Sequence, residues 1–122
     1  MSTDFTFPKE VRLLTASDYS NVFQDVQLRV SSKNFLILAR NYGIDHPRLG
    51  IIIAKKNVKL AVERNRLKRQ LRETFRKKRE LLPNLDIVLL AKKGANSCDN
   101  SLIAKELEYL WQKLKQKSFK LA

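Results

Sequence analysis

Apolar residues follow two rhythms along this chain. Phe35–Arg40, Arg48–Ala54 and Asp86–Lys92 are dense apolar runs of strand length, and Val26–Val30 reads as a shorter strand. The run over Arg48–Ala54 is almost unbroken, which predicts burial on both faces. Elsewhere the apolar positions recur at three and four. Leu60, Leu67, Leu71 and Phe75 form one stripe of a helix predicted over Val58–Leu81. Ile103, Leu107, Leu110, Trp111 and Leu114 form another over Leu102–Lys117. Tyr19 and Phe23 share a face of a short helix over Ala16–Gln24, and Thr15-Ala16-Ser17-Asp18 has the form of a capping box at its start.

Punctuation between these segments agrees with the pattern. Ser31–Asn34 reads as a turn, Asn41–Pro47 as a loop marked by Gly43 and Pro47, and Lys93–Ser101 as a polar loop. Asn57 is expected to cap the long helix and Pro83 to enforce its stop. The order αβββαβα, without repeats or linkers, predicts an α/β (α+β) two-layer sandwich in which helices pack on one sheet. At 122 residues the chain can bury a core without disulfides or metal. Residues 1–122 are read as one domain, with 1–9 and 116–122 loosely ordered.

Charge changes the picture from fold to function. Lys and Arg number 25 against 12 acids, a net +13. Between Lys55 and Arg79 lie 12 basic residues and only Glu63 and Glu73, so the local excess is +10. Such a concentration points to a polyanion, whether RNA, DNA or an anionic membrane surface. No apolar run approaches the ~18–20 residues of a membrane span, and Met1–Glu10 does not resemble a signal peptide. The single cysteine, Cys98, excludes an internal disulfide, so a reducing, cytoplasmic setting is expected.

On the long helix, Asn65, Arg69, Arg72 and Arg76 make a second stripe beside the apolar one. Lys68 lies between the stripes, Arg66 flanks the polar face on its far side, and Arg64 sits near the apolar meridian at the helix start. Two acids cannot neutralise so many arginines, and like charges at i,i+4 destabilise an isolated helix. An external polyanion offsets that repulsion, and arginine adds bidentate phosphate contact and base stacking.

Other candidates are weaker. His46, the one histidine, stands in a polar loop with no clustered ligands, so neither a zinc site nor histidine acid–base chemistry is expected. Cys98 reads as an ordinary thiol, Trp111 as core, and Glu106 with Glu108 as unrelated faces of one helix rather than a catalytic pair. Tyr19 and Phe23 can be core residues or an exposed pair that stacks on bases. From the residues alone, a ribosomal or RNA-assembly protein of similar sandwich and a DNA-binding protein using its basic helix in the major groove stay open.

The segments Lys55-Lys56, Ala61–Arg69 with its Arg64-Asn65-Arg66-x-Lys68-Arg69 core, Leu71-Arg72 and Phe75 resemble the signature of bacterial ribonuclease P proteins. Arg12-Leu13, Asp18-Tyr19, Val22-Phe23, Arg48-Leu49-Gly50 and Asp86–Ala91 fit the same pattern, so the resemblance spans roughly residues 10 to 115. It implies a subunit without catalytic residues. The partner RNA would cleave precursor tRNA to release the 5′ leader, using Mg2+ held mainly by RNA. Arg64, Asn65, Arg66, Lys68, Arg69, Arg72 and Arg76 would contact ribonuclease P RNA. Tyr19, Phe23, Leu38, Lys55 and Lys56 would line a cleft for the leader of precursor tRNA. The resemblance implies no membrane association, no obligate protein partner and a left-handed βαβ crossover, where base rates favour the right-handed form. Leu38 and Ala54 depart from common family patterns by making the cleft more apolar.

Overall fold

A computed structural model describes residues 12–13, 15–41 and 45–121, with the side chains of 120 and 121 excepted. The expectations for 1–9 and for Gly43 lie outside the described residues. The elements run α1 (Ala16–Gln24), β1 (Leu28–Ser31), β2 (Phe35–Arg40), β3 (Arg48–Ile52), α2 (Ala61–Lys78), β4 (Asp86–Ala91) and α3 (Asn100–Leu121). The strands form one mixed sheet in the order β1-β2-β4-β3. β2 pairs antiparallel with β1 and β4, while β3 and β4 are parallel neighbours joined through α2, which makes a βαβ unit.

Strand alternation gives the sheet two unlike faces. Phe35, Ile37, Ala39, Ile87 and Leu89 point to one side, where Leu67, Leu71 and Phe75 of α2 and Ile103, Leu107, Trp111 and Leu114 of α3 complete the main core. Leu67 and Leu71 are fully buried, so cutting either to Ala should cost about 2–5 kcal/mol. Trp111 packs edge-on against Phe75 and donates its indole N–H to Thr74 Oγ1 at 3.3 Å, which satisfies the polar end of a buried ring. The opposite face carries a smaller cluster, Leu13, Val22, Leu38 and Val88, under α1.

α1 starts as its sequence predicts. Thr15 Oγ1 accepts from the Asp18 N–H and Asp18 returns the bond to the Thr15 N–H, both at 3.1 Å.

The start of α2 differs from expectation. Val58 is fully buried, and the chain turns at Ala54–Val58 to bring it into the core before a helix can begin. α2 therefore begins at Ala61, and Leu60 is an extended residue, 59% exposed, rather than part of the core stripe. Asn57 does not cap it; its side-chain amide donates to the Ala91 carbonyl at 3.0 Å. At the other end a 3-10 turn over Arg79–Leu81 replaces the last predicted helical residues.

β1 begins two residues later than Val26, which is 39% exposed. α3 begins at Asn100 because Asp99 Oδ1 accepts from the Leu102 N–H at 2.8 Å and closes the first turn. It remains helical to Leu121, through the segment read as loosely ordered, and Lys117 Nζ donates to the Arg29 carbonyl at 2.8 Å near that end.

Candidate nucleic-acid interface

The basic face of α2 sorts its arginines into two kinds. Arg64 and Arg66 are tied to the protein. Arg64 Nη1 donates to the carbonyls of Val58 at 2.9 Å and Lys59 at 2.8 Å, holding the turn that precedes the helix. Arg66 spans to the loop before α3: Nη1 donates to Asn100 Oδ1 at 2.9 Å, and Nη2 to the carbonyls of Asn96 at 3.2 Å and Cys98 at 3.1 Å. Glu63 supports the same loop by accepting from Asn96 Nδ2 at 3.3 Å, so it neutralises no arginine directly.

Arg76 is matched by Glu73 through two bonds, Nε–H to Oε1 at 3.0 Å and Nη2 to Oε2 at 2.6 Å. That contact holds the Glu73 carboxyl below its usual range, with burial opposing. Asn65, Lys68 and Arg69 make no side-chain hydrogen bond or ion pair among the described residues, and Lys55, Lys56 and Lys59 are likewise unmatched and exposed. These are the donors and charges turned toward solvent.

The loop that Arg66 holds is anchored from below. Asn34 Nδ2 donates to Cys98 Sγ at 3.1 Å and to Glu106 Oε1 at 2.9 Å, and the Asn34 N–H donates to Glu106 Oε2 at 2.8 Å. Ser32 Oγ donates to the same carboxylate. Burial pushes Glu106 up, but these bonds and the nearby Lys92 outweigh it and keep the carboxyl below its usual range. Burial, and then the Glu106 charge, push the Cys98 thiol up, which disfavours its thiolate form.

The second surface lies on the other sheet face. Register places Leu36, Leu90 and Ile52 side by side across β2, β4 and β3, and all three are half-buried. α1 covers the neighbouring rows and leaves this one as the floor of a shallow apolar trough. Tyr19 is half-buried against the same cluster, and Phe23, one helical turn on, is 44% exposed. Lys55 and Lys56 follow the end of β3 that carries Ile52.

Leu38 is a correction to the predicted lining. It is 7% exposed and packs with Val22 and Val88 beneath α1, because its register puts it one row further along the strand than Leu36. Leu36, Ile52 and Leu90 are the floor residues that sequence reasoning missed; alternation along the strands was the signal that could have found them.

At the far end of this face Asp86 is fully buried and receives Arg48 Nε–H at 2.7 Å and Nη2 at 2.6 Å. Arg40, its register partner on β2, donates to the Asn21 carbonyl at 3.0 Å and ties α1 to the sheet. His46 contacts Asp45 at 2.6 Å in its exposed loop. Among the described residues no group of three or more His, Cys, Asp or Glu is placed to hold a metal, and no helix is long and apolar enough to cross a membrane.

Comparison with known proteins identifies the family. Residues 7–115 match the family model described as Ribonuclease P. The ribonuclease P protein component of Marinobacter nauticus is 52% identical over 112 residues, covering 92% of this chain and 84% of the relative. That of Pseudomonas putida is 49% identical, covering 93% of this chain and 84% of the relative. Among solved structures, a Staphylococcus aureus RNase P protein mutant superposes with a TM-score of 0.82 at 30% identity, covering 88% of this chain and 90% of that one. The Thermotoga maritima RNase P protein gives 0.74 at 30% identity over 84% and 96%. The chain belongs to the ribonuclease P protein family.

Proposed function

We propose that this subunit of ribonuclease P, which serves tRNA 5′ processing in association with the ribonuclease P RNA, divides its work between the two surfaces. The exposed face of α2, with Asn65, Lys68, Arg69, Arg72 and the preceding lysines, binds the phosphate backbone of the RNA subunit. Arg64 and Arg66 shape that face from within, and Arg76 adds to it with its charge offset by Glu73. The α1 trough takes the single-stranded 5′ leader of precursor tRNA. Its apolar floor and the Tyr19/Phe23 wall suit stacked bases, and Lys55 and Lys56 at its end suit their phosphates.

The RNA carries the cleavage chemistry in this reading, and Mg2+ is held mainly by RNA. Among the described residues the acids on α2 are committed elsewhere, Glu63 to Asn96 and Glu73 to Arg76, so this face offers mainly donors for phosphate. The holoenzyme would work in the cytoplasm, where its tRNA substrates are made.

The observation that carries the proposal is the contrast between the faces: unmatched cations on one, half-exposed apolar and aromatic groups on the other. The test is reconstitution with a bacterial ribonuclease P RNA at low magnesium. The protein should stimulate 5′ cleavage of precursor tRNA, and Phe23→Ala should weaken long-leader substrates more than mature tRNA. Stacking loss of ~1–3 kcal/mol per base sets the scale. No stimulation, or equal loss on both RNAs, would remove the proposed division.

A further inference from the structure

Two parts of the surface lie outside both RNA faces. The β3 edge of the sheet is occupied by its own chain: Arg12 bridges Leu49 in parallel fashion, and the Leu13 N–H donates to the Leu49 carbonyl at 3.0 Å. The seam between α2 and α3 is open. Gln70, Thr74 and Lys77 line it from α2, about a third of a turn from the Arg69, Arg72 and Arg76 stripe. Ala104, Glu108 and Lys115 line it from α3, on one face by the same periodicity. Between them runs a groove with the Trp111 ring in its floor.

The groove continues past the end of α2 to Leu82, where Leu81 and Phe119 stand 59% and 74% exposed. One such side chain alone is ordinary surface; two at the mouth of one groove are a pair of apolar anchors. From Ala104 to Phe119 the groove follows α3 for about 22 Å, roughly four helical turns.

Its rims carry surplus positive charge. Glu73 is matched by Arg76 and, at 4.0 Å, by Lys77, and Glu108 is matched by Lys78 at 3.9 Å. Lys105 and Lys115 have no ion pair or side-chain hydrogen bond among the described residues. No arginine lines the groove among those residues, in contrast to the α2 stripe. The planar fork that grips phosphate is therefore missing, while ammonium groups on flexible stems can meet carboxylates spaced along a helix.

We propose that this groove docks an amphipathic helix of an acidic protein partner. The partner's apolar stripe lies on Leu81, Leu82 and Phe119, and its flanking Asp or Glu side chains meet Lys105 and Lys115. A second copy of this chain is disfavoured, since each carries +13. The groove belongs to neither RNA surface: α2 and α3 pack on the sheet face opposite α1, and the α2 arginines point away from it. A docked helix and bound RNA therefore need not compete, and cleavage does not depend on the partner.

The probe is a designed peptide of about four helical turns, with leucines at helical spacing flanked by glutamates. Its control has lysines in place of the glutamates. Binding is read from a dye on the peptide and, in the free chain, from the emission of Trp111, its one tryptophan. The glutamate peptide should bind free chain and reconstituted holoenzyme alike, and the lysine peptide roughly tenfold more weakly. Leu81→Ser with Phe119→Ser should weaken the glutamate peptide by about tenfold or more. Lys105→Glu with Lys115→Glu should reverse the preference between the two peptides, a gain that misfolding cannot mimic. All four positions lie off α2 and the α1 trough, so precursor tRNA cleavage should keep its wild-type rate.

Failure of the glutamate peptide to bind, or its indifference to all four substitutions, overturns the proposal. Binding that is lost in the holoenzyme or in Arg69→Gln places the peptide on the α2 arginines and also overturns it. Tighter binding of single-stranded oligouridylate, weakened by Phe119→Ser, makes the groove an RNA surface instead. Dimerisation of the wild-type chain in ultracentrifugation, lost with Leu81→Ser and Phe119→Ser, makes it a self-interface and equally refutes an acidic partner.

Discussion

Gly50→Ala is the smallest change that tests how the trough is built. A methyl group there would stand 2.5 Å from Tyr19 Cε1 and 2.7 Å from Cζ. Comfortable carbon contacts are ~3.5–4.0 Å, so the ring must retreat by about 1 Å. Overpacking of this kind costs ~1–3 kcal/mol, and alanine returns ~0.5–1 kcal/mol over glycine within a strand. The net is a loss of about 0.5–2 kcal/mol. In a Tyr19→Ala background the methyl meets no ring, and the same substitution should turn neutral or stabilising. Urea unfolding of the four proteins at constant m-value measures the difference. The expected coupling is ~1–3 kcal/mol, well above the ~0.3–0.5 kcal/mol scatter of independent sites. Leader-bearing substrates should also lose affinity in Gly50→Ala, with mature tRNA unchanged. An additive cycle would refute the claim that Gly50 exists to seat Tyr19.

Four further outcomes follow from the contacts described above. Arg48→Met should cost about 3–5 kcal/mol by urea unfolding because it strands the buried Asp86 carboxylate, and adding Asp86→Leu should recover much of that loss. Arg66→Gln should destabilise the free protein by ~1.5–3 kcal/mol through the lost loop contacts. Arg69→Gln should leave stability alone and reduce the salt slope of RNA binding by roughly 0.7–0.9; the reverse pattern would show the two arginines have been misassigned. Glu106 has a folded pKa below its ordinary value, so its contribution is present above the ordinary carboxylate range and lost as pH falls through the lowered one. Wild type should therefore lose more stability than Glu106→Gln as pH falls through and below the ordinary carboxylate range in acid titrations of unfolding; parallel curves would count against the Ser32/Asn34 anchor.

Much of the fold was legible in the sequence, for local reasons. The Thr15/Asp18 box closes within one helical turn, and Leu67, Leu71, Phe75 and Trp111 reach the core by their own periodicity. What failed was non-local. Leu60 has the right spacing for the stripe, but burial of Val58 delays the helix past it. Leu38 and Leu36 are alike in composition, and only sheet register decides which lies beneath α1. On the candidate site, charge counting pointed to α2 but could not separate its arginines. The carbonyls that engage Arg66 lie some thirty residues away, and no spacing announces them.

The short pairing of residues 12–13 with β3 has a consequence for solubility. An apolar edge strand with open N–H and C=O groups is a template for another chain's strand. Here one rim is overlaid by Arg12 and Leu13, and the other, β1, turns Arg29 and Ser31 outward and has the Arg29 carbonyl taken by Lys117. Both rims thus carry arginine, and a second copy would bring like charge against like. Charge at the two rims works with the short pairing of residues 12–13 to discourage the sheet from growing into aggregates.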